Sequence, residues 1–269
     1  MTCFLCCRIG EAANPGPGCP NFAIGVFNPS GLRGKAPYIV SQLGFGDIWA
    51  ISETHLCSHT FAQFRSGLHF ARSPFQSCVG GHPVPAQNNR VFHASSKGVA
   101  VLSKHPTRAV PTDLPPEMLQ SSRAVVTTTL LQDVWVTGGT VYGEPDSSFY
   151  PHQKMNNAAL LHSVANHVCY LARGPRFIAG DWNVERHSLP VFTQLEAAGL
   201  RDLQDIAHQH CGRPFSVSCK GATRKDFCYV SPELQQLLVA VHVSQDIFPD
   251  HVSLTGGNTV SLVRWDPLT

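Results

Sequence analysis

Arg123-Ala-Val-Val-Thr-Thr-Thr-Leu-Leu131, followed after two residues by Val134-Trp-Val-Thr-Gly-Gly-Thr-Val-Tyr142, is the stretch that decides the fold. Both runs are dominated by β-branched residues, which fit a pleated surface, and only Gln132-Asp133 separates them. They read as an antiparallel hairpin. Similar runs bounded by Gly, Pro or Asn predict strands over Phe22–Asn28, Asp47–Ser52, Gly98–Ser103, Arg176–Gly180, Asp226–Val230, Val241–Gln245, Val252–Thr255 and Thr259–Trp265. Helical periodicity is confined to Ala36–Leu43, Thr60–Arg65, Tyr150–Ala172, Leu189–Ala198 and Pro232–Leu238. In the longest of these, Leu160, Leu161, Val164, Val168 and Leu171 share one face, as suits a helix lying over a sheet. Many strands with helices dispersed among them predict an α+β fold. Its two packed, mostly antiparallel sheets are flanked by helices, a four-layer α/β/β/α sandwich.

Residues 1–20 are rich in Cys, Pro and Gly and lack periodicity, and they read as a flexible leader. From 21 to 269 the pattern is that of one continuous domain without internal repeats. Within it, Ser73–Lys97 shows no period and reads as a long surface loop. A chain of 269 residues, 43% hydrophobic and 14% charged, has material for a large core and is not a disordered tail. No run of about 18 apolar residues occurs, which speaks against a membrane span. Ten scattered cysteines in a chain that needs no disulfide framework indicate a reducing compartment. The expectation is an intracellular, nuclear or cytoplasmic, monomeric protein that is not secreted. The net charge of +2 neither requires nor excludes a nucleic-acid partner.

Chemistry concentrates where apolar strands end, because strand ends converge on one rim of a sheet and hold side chains rigidly at solvent. Phe22–Phe27 runs into Asn28-Pro-Ser-Gly-Leu-Arg33, and Asp47–Ser52 into Glu53-Thr-His. Val134–Val141 ends in Tyr142-Gly-Glu, Arg176–Gly180 in Asp181-Trp-Asn183, and Ile247-Phe-Pro in Asp250-His251, while Asp226 opens another strand. Singly, each has an ordinary reading: Asn28-Pro29 as a turn, Glu53 as a solvated strand end, Asp181 as a helix cap. Together they make an oxygen-rich, acidic site of the kind that suits Mg²⁺ or Mn²⁺. The single histidine supplies too few nitrogen ligands for zinc. Such a cluster could hold a phosphate only with a cation reversing its charge.

The motifs Asn28-x-x-Gly-Leu-Arg, Glu53-Thr, Lys97-Gly-Val-Ala-Val-Leu-Ser-Lys-His-Pro106, Tyr142, Gly180-Asp-Trp-Asn183, Arg224-Lys-Asp226 and Asp250-His251 resemble, in order and spacing, the endonuclease/exonuclease/phosphatase superfamily. The resemblance runs from about Asn21 to about Trp265. It implies Glu53 as principal metal ligand, assisted by Asn28, with Asp250 as a further ligand and as the carboxylate that orients His251. His251 would hold or activate the attacking water. Asp181 and Asn183 would bind the phosphate, the metal or the nucleophile, Tyr142 would donate to a phosphate oxygen, and Asp226 would stand behind the histidine. Arg33, Lys97 and Arg224 would meet the substrate, within a face that Lys35, Arg90, Lys104 and Lys225 could extend. The apurinic endonucleases and the endonuclease domains of non-LTR retrotransposons resemble this chain in their tyrosine at the position of Tyr142, which points to Mg²⁺-dependent cutting of DNA. It also suggests a place in a larger polyprotein with a reverse transcriptase. The chain departs from the apurinic pattern at Ser30, where an acid is expected, and in Trp182, where Phe is commoner.

A lipid or inositol-phosphate phosphoesterase of the same fold, and a binding module without catalysis, are the competing readings. No key position has become apolar, which disfavours the second. Cys3, Cys6 and Cys7 make half of a zinc site at most, and His208, His210 and Cys211 read as a helix end. Asn14-Pro-Gly-Pro17 reads as a Pro/Gly linker, although it also resembles the end of ribosome-skipping peptides.

Overall fold

The computed structural model describes residues 22–29, 31–44, 46–81, 98–111, 122–131, 133–145, 150–211, 224–236, 238–244 and 260–265. The leader, Lys97, the strand expected over Val252–Thr255 and the Asp250-His251 pair lie outside them. Among the described residues, twelve strands form two six-stranded sheets. The first sheet holds β1 (Phe22–Phe27), β2 (Ile48–Ile51), β3 (Ser77–Gly80), β4 (Ala100–Ser103), β11 (Leu238–Ser244) and β12 (Val260–Trp265), in the order β11-β12-β1-β2-β4-β3. The second holds β5 (Thr107–Ala109), β6 (Ala124–Leu131), β7 (Val134–Tyr142), β8 (Arg176–Asp181), β9 (Arg201–Asp202) and β10 (Asp226–Val230), in the order β5-β6-β7-β8-β10-β9. The hairpin of β6 and β7 forms in full register, Leu131 opposite Val134 and Ala124 opposite Val141.

Each sheet has one parallel pair at its centre, β1 with β2 and β7 with β8. Parallel neighbours need a crossover, usually a helix. The first crossover carries α1 (Ala36–Leu43) and the second α3 (Pro151–Asn166), which continues as a π-helical turn over His167–Leu171. The remaining helices are α2 (Ser58–Phe70), α4 (Pro190–Ala197), α5 (Leu203–Cys211) and α6 (Pro232–Gln236).

Three apolar layers bind this arrangement. Ile24, Val26, Ile48, Ala50 and Val101 of the first sheet meet Val125, Val136, Phe177, Ala179 and Val230 of the second. Outside the first sheet, Phe27, Trp49 and Ile51 pack against Ile39 and Leu43 of α1 and Phe64 and Leu68 of α2. Outside the second, Val141, Ile178 and Phe227 pack against Leu161 and Val164 of α3 and Phe192 and Leu195 of α4. The expected four-layer sandwich is what the chain forms, and none of the described helices is long and apolar enough to cross a membrane.

Several boundaries differ from the sequence-based expectation. Ser73–Lys97 was expected to be loop throughout, yet Ser77–Gly80 pairs with β4 as an edge strand. This segment is half-buried on every residue, so it carries no alternating pattern. The helix expected over Thr60–Arg65 extends over Ser58–Phe70, capped by Cys57 and Thr60. β5 and β9 were not anticipated, and of α5 only the end was. α5 does end at Cys211, as the His208–Cys211 pattern implied. Leu171 was placed on the buried stripe of the long helix, but it is 60% exposed. Val168 is buried as expected, but the wider π turn then shifts the helical phase, and Cys169 is buried in place of Leu171.

Gly25 pairs with Trp49 across β1 and β2, and the indole, fully buried, lies where a side chain on residue 25 would stand. A Cβ there would approach Trp49 Cζ3 to 2.1 Å. Gly25→Ala is expected to destabilise the fold by about 1–3 kcal/mol, the cost of overpacking a filled core. Urea unfolding would register it as a lowered midpoint at constant slope.

Candidate active site

The two parallel pairs aim their C-terminal ends at one rim. Phe27 stands opposite Ile51, so Asn28 and the Ser52-Glu53 segment leave the first sheet side by side. In the second sheet Tyr142 is opposite Asp181, and Asp181 is opposite Asp226. Paired residues project to the same face, so these three side chains form a row across three strands. The Asn28 side chain connects the sheets: its Nδ2 donates to Asp181 Oδ2 at 3.1 Å, and it is hydrogen-bonded to the Glu53 carboxylate, which also accepts from Tyr142.

Glu53 and His55 occupy the left-handed region, with φ of 54° and 53°, a conformation costing on the order of 1–3 kcal/mol in a non-glycine residue. The neighbouring loops hold them there. Gly31 and Leu32 donate their backbone N–H groups to the carbonyls of Glu53 and Thr54 at 2.9 Å each, and Thr54 N–H donates to Gly98 O at 3.0 Å. Gly98, at φ 118°, has no room for a side chain, since a Cβ would lie 2.2 Å from Thr54 Oγ1. The glycines of Asn28-x-x-Gly-Leu and Lys97-Gly therefore serve to present Glu53.

The Glu53 carboxyl would be raised by burial. Hydrogen bonds from His55, Asn28 and Tyr142, with the charge of His55, outweigh that and hold it below the usual carboxylate range. His55 Nε2 lies 3.2 Å from Glu53 Oε1. Burial moves Asp181 the other way, well above its ordinary value, reinforced by the charges of Asp226 and Glu53 and opposed by the Asn183 N–H and Lys225. Burial and the charges of Glu53 and Asp181 push the Tyr142 phenol above its usual range, so its O–H remains a donor.

Asp181-Trp-Asn183 is fixed from both sides. Asn183, at φ 52°, donates its N–H to Asp181 Oδ1 at 3.0 Å and its Nδ2 to Gly143 O at 3.1 Å. Between them Trp182, fully buried, lies among Phe192, Phe227 and Tyr229, with ring centroids 5.2–5.6 Å away. The cage accommodates this ring, larger than the commoner Phe, without exposing it.

Sequence reasoning missed three supporting residues. His55 was in view beside Glu53 but given no role. Arg123, 3% exposed, bridges Glu144 at 2.8 Å, donates to Gly143 O at 2.9 Å and lies over the Tyr142 ring. Asn157, fully buried, accepts from Glu144 N–H and donates to the carbonyls of Glu144 and Trp182. Its signal was legible as a polar residue one turn before Leu160 and Leu161 on the apolar face of α3. Of the cations expected to meet substrate, Arg33 is exposed on the loop after Leu32. Arg224 has another partner: both of its terminal nitrogens bind Asp202, at 2.6 and 2.7 Å, and its guanidinium covers Phe227.

The donors gathered at this rim are carboxylate, amide and phenol oxygens, chemistry that fits a hard divalent cation. Among the described residues, no group of three His, Cys, Asp or Glu side chains is placed to hold a metal ion. Glu53 with the Asn28 amide supplies part of such a set.

Residues 27–255 match the Endonuclease/Exonuclease/phosphatase family, and the chain belongs to it. Its fold is also that of several solved structures. A 3' phosphatase from Neisseria bound to a product DNA hairpin superposes with a TM-score of 0.66 at 20% identity, over 91% of this chain and all of that one. An AP endonuclease from Archaeoglobus fulgidus gives 0.62 at 16% identity, over 91% and 100%. The endonuclease domain of TRAS1, a telomere-specific non-LTR retrotransposon, gives 0.56 at 16% identity, over 92% and 100%. No curated protein matches the chain in sequence.

Asp202 is fully buried against Arg224, so Asp202→Ala would strand a guanidinium in the interior. A loss of about 3–5 kcal/mol in urea unfolding is expected. Arg33→Ala on the exposed loop should change stability by no more than about 0.5 kcal/mol.

Proposed function

We propose that this chain is a divalent-metal-dependent phosphodiesterase that nicks DNA. The observation that carries the reading is the Asn28 side chain joined to both Glu53 and Asp181, because it assembles one acidic site from two sheets. Glu53 and the carbonyl oxygen of Asn28, with Asp250 beyond the described residues, would hold Mg²⁺ or Mn²⁺. When bound, the ion would neutralise charge on the phosphate and on the leaving oxygen.

The chain's own groups divide the remaining work. Tyr142 keeps its proton and donates it to a non-bridging phosphate oxygen as charge builds there. His55 and Asn28 hold the Glu53 carboxylate in one orientation. Asp181, its carboxyl raised by burial and by the charge of Asp226, and Asn183 orient the phosphate or the nucleophile, with Asp226 beside them in the row. His251, oriented by Asp250, takes the proton of the attacking water.

DNA is the favoured substrate because of Tyr142, the Asn28–Arg33 opening and the fold shared with a phosphatase bound to a DNA hairpin, an AP endonuclease and a retrotransposon endonuclease domain. A retrotransposon setting, beside a reverse transcriptase, belongs to the same proposal, as does an intracellular location.

Purified protein should nick supercoiled plasmid in Mg²⁺ and stop when the ion is chelated. Glu53→Gln, Asp181→Asn and His251→Ala should each lower kcat by roughly 10²–10⁴. Parallel assays on an abasic duplex and a phosphoinositide fix the substrate class. Hydrolysis of the lipid alone, or nicking unchanged in Glu53→Gln, would refute the reading.

A further inference from the structure

The rim opposite the candidate site has features that hydrolysis at Glu53 does not use. β2 runs toward Glu53 from Ile48, which pairs with Ser103, which in turn pairs with Ser77; the start of β3 therefore lies at the far rim. α2 begins five residues after Glu53 and returns to that rim, where its last residue, Phe70, is 84% exposed. A groove of about 910 Å³ opens there, lined by Arg65, His69, Phe70, Arg72, Phe75 and Gln76 among others. Arg65 and Arg72 are exposed, and neither has an ion pair among the described residues.

The surface continues onto the second sheet. Ser77, next to Gln76, accepts the Thr107 N–H at 3.1 Å and donates to His105 O at 2.9 Å, which sets β5 alongside. The exposed Arg108 of β5 lies over Trp135, 5.1 Å from its ring centroid, and Trp135 is 44% exposed at the start of β7. Arg108 and Trp135 thus stand at the same end of the sandwich as the groove, on the outer face of the second sheet.

Charge separates along the chain to match. Residues 54–112 carry six Lys/Arg and six His and no Asp or Glu. The remainder holds 14 of the 20 Lys/Arg and all 18 Asp/Glu, so the formal charge of +2 is a basic block of +6 set against a remainder of −4. This block supplies α2, β3, β4 and β5.

We propose that this groove and its extension over β5 and Trp135 bind single-stranded nucleic acid, apart from the site at Glu53. The arginines follow the phosphates, while Phe70 and Trp135 offer faces on which bases stack, the combination that recognises single strands without reading sequence. The charge complementarity and the exposed rings select this occupant. A duplex would keep its bases stacked inside and leave Phe70 and Trp135 unused.

Fluorescence anisotropy on the full chain with labelled oligo(dT) and oligo(U) tests the proposal. The double variant Arg65→Glu/Arg72→Glu should bind at least about tenfold more weakly. Its log K against log salt should be shallower by roughly 1.4, two phosphate contacts at about 0.7 each. Phe70→Ala and Trp135→Ala should each lose about fivefold or more. Arg65→Lys/Arg72→Lys should retain most of the affinity, since both positive charges survive. Circular dichroism checks that each variant is folded. Equal affinity of wild type and the Glu double variant overturns the proposal. So does poly-glutamate binding with the same sensitivity to Arg65 and Arg72 and none to Phe70.

Discussion

The bond from Asn28 to Asp181 ties together, at the rim of the site, two sheets whose shared interior is apolar. It can exist because each sheet places its single parallel pair at the centre. Parallel strands deliver both C-terminal ends to the same edge, and the crossovers through α1 and α3 are the consequence of that direction. Had β1 and β2 been antiparallel, Asn28 and Glu53 would have emerged at opposite rims. The site is therefore a product of strand polarity before it is a product of any catalytic residue.

Around that bond the structure accepts local unfavourable terms. Glu53 and His55 sit in left-handed backbone, and Asp181 faces two other carboxylates. The loops that stabilise these choices contain little chemistry of their own. Gly31 and Gly98 act through backbone hydrogen bonds and through space left unfilled, while Arg123 and Asn157 secure the carbonyls of residues 142–144 and 182. Much of what makes the acidic row usable lies one contact behind it.

The layers of the fold were legible because burial on one face writes a period into the sequence, as the hairpin of β6 and β7 shows. Glu53, Asn28, Tyr142, Asp181 and Asp226 were legible for a related reason: each is a polar residue that interrupts or ends an apolar run. Where burial is even or the element is short, no period survives, and β3, β5 and β9 went unseen. Leu171 was misplaced because a π turn alters the phase without altering composition. The engagement of Arg224 by Asp202 could not be read either, since it depends on two strands meeting 22 residues apart. The far-rim surface was hidden by the net charge, which averages a basic block with an acidic remainder.

Trp182 stands between the two polar residues of its motif, yet its ring points away from them into the layer shared by β8, β10, α3 and α4. Asp181 and Asn183 thus inherit their stiffness from a set of aromatic contacts on the outer side of the second sheet. Precision at the rim is a property lent by the helical coat. Loosening that coat would blur the site while the interface between the sheets stayed intact, and the first symptom of strain in α3 or α4 would be chemical before it was structural.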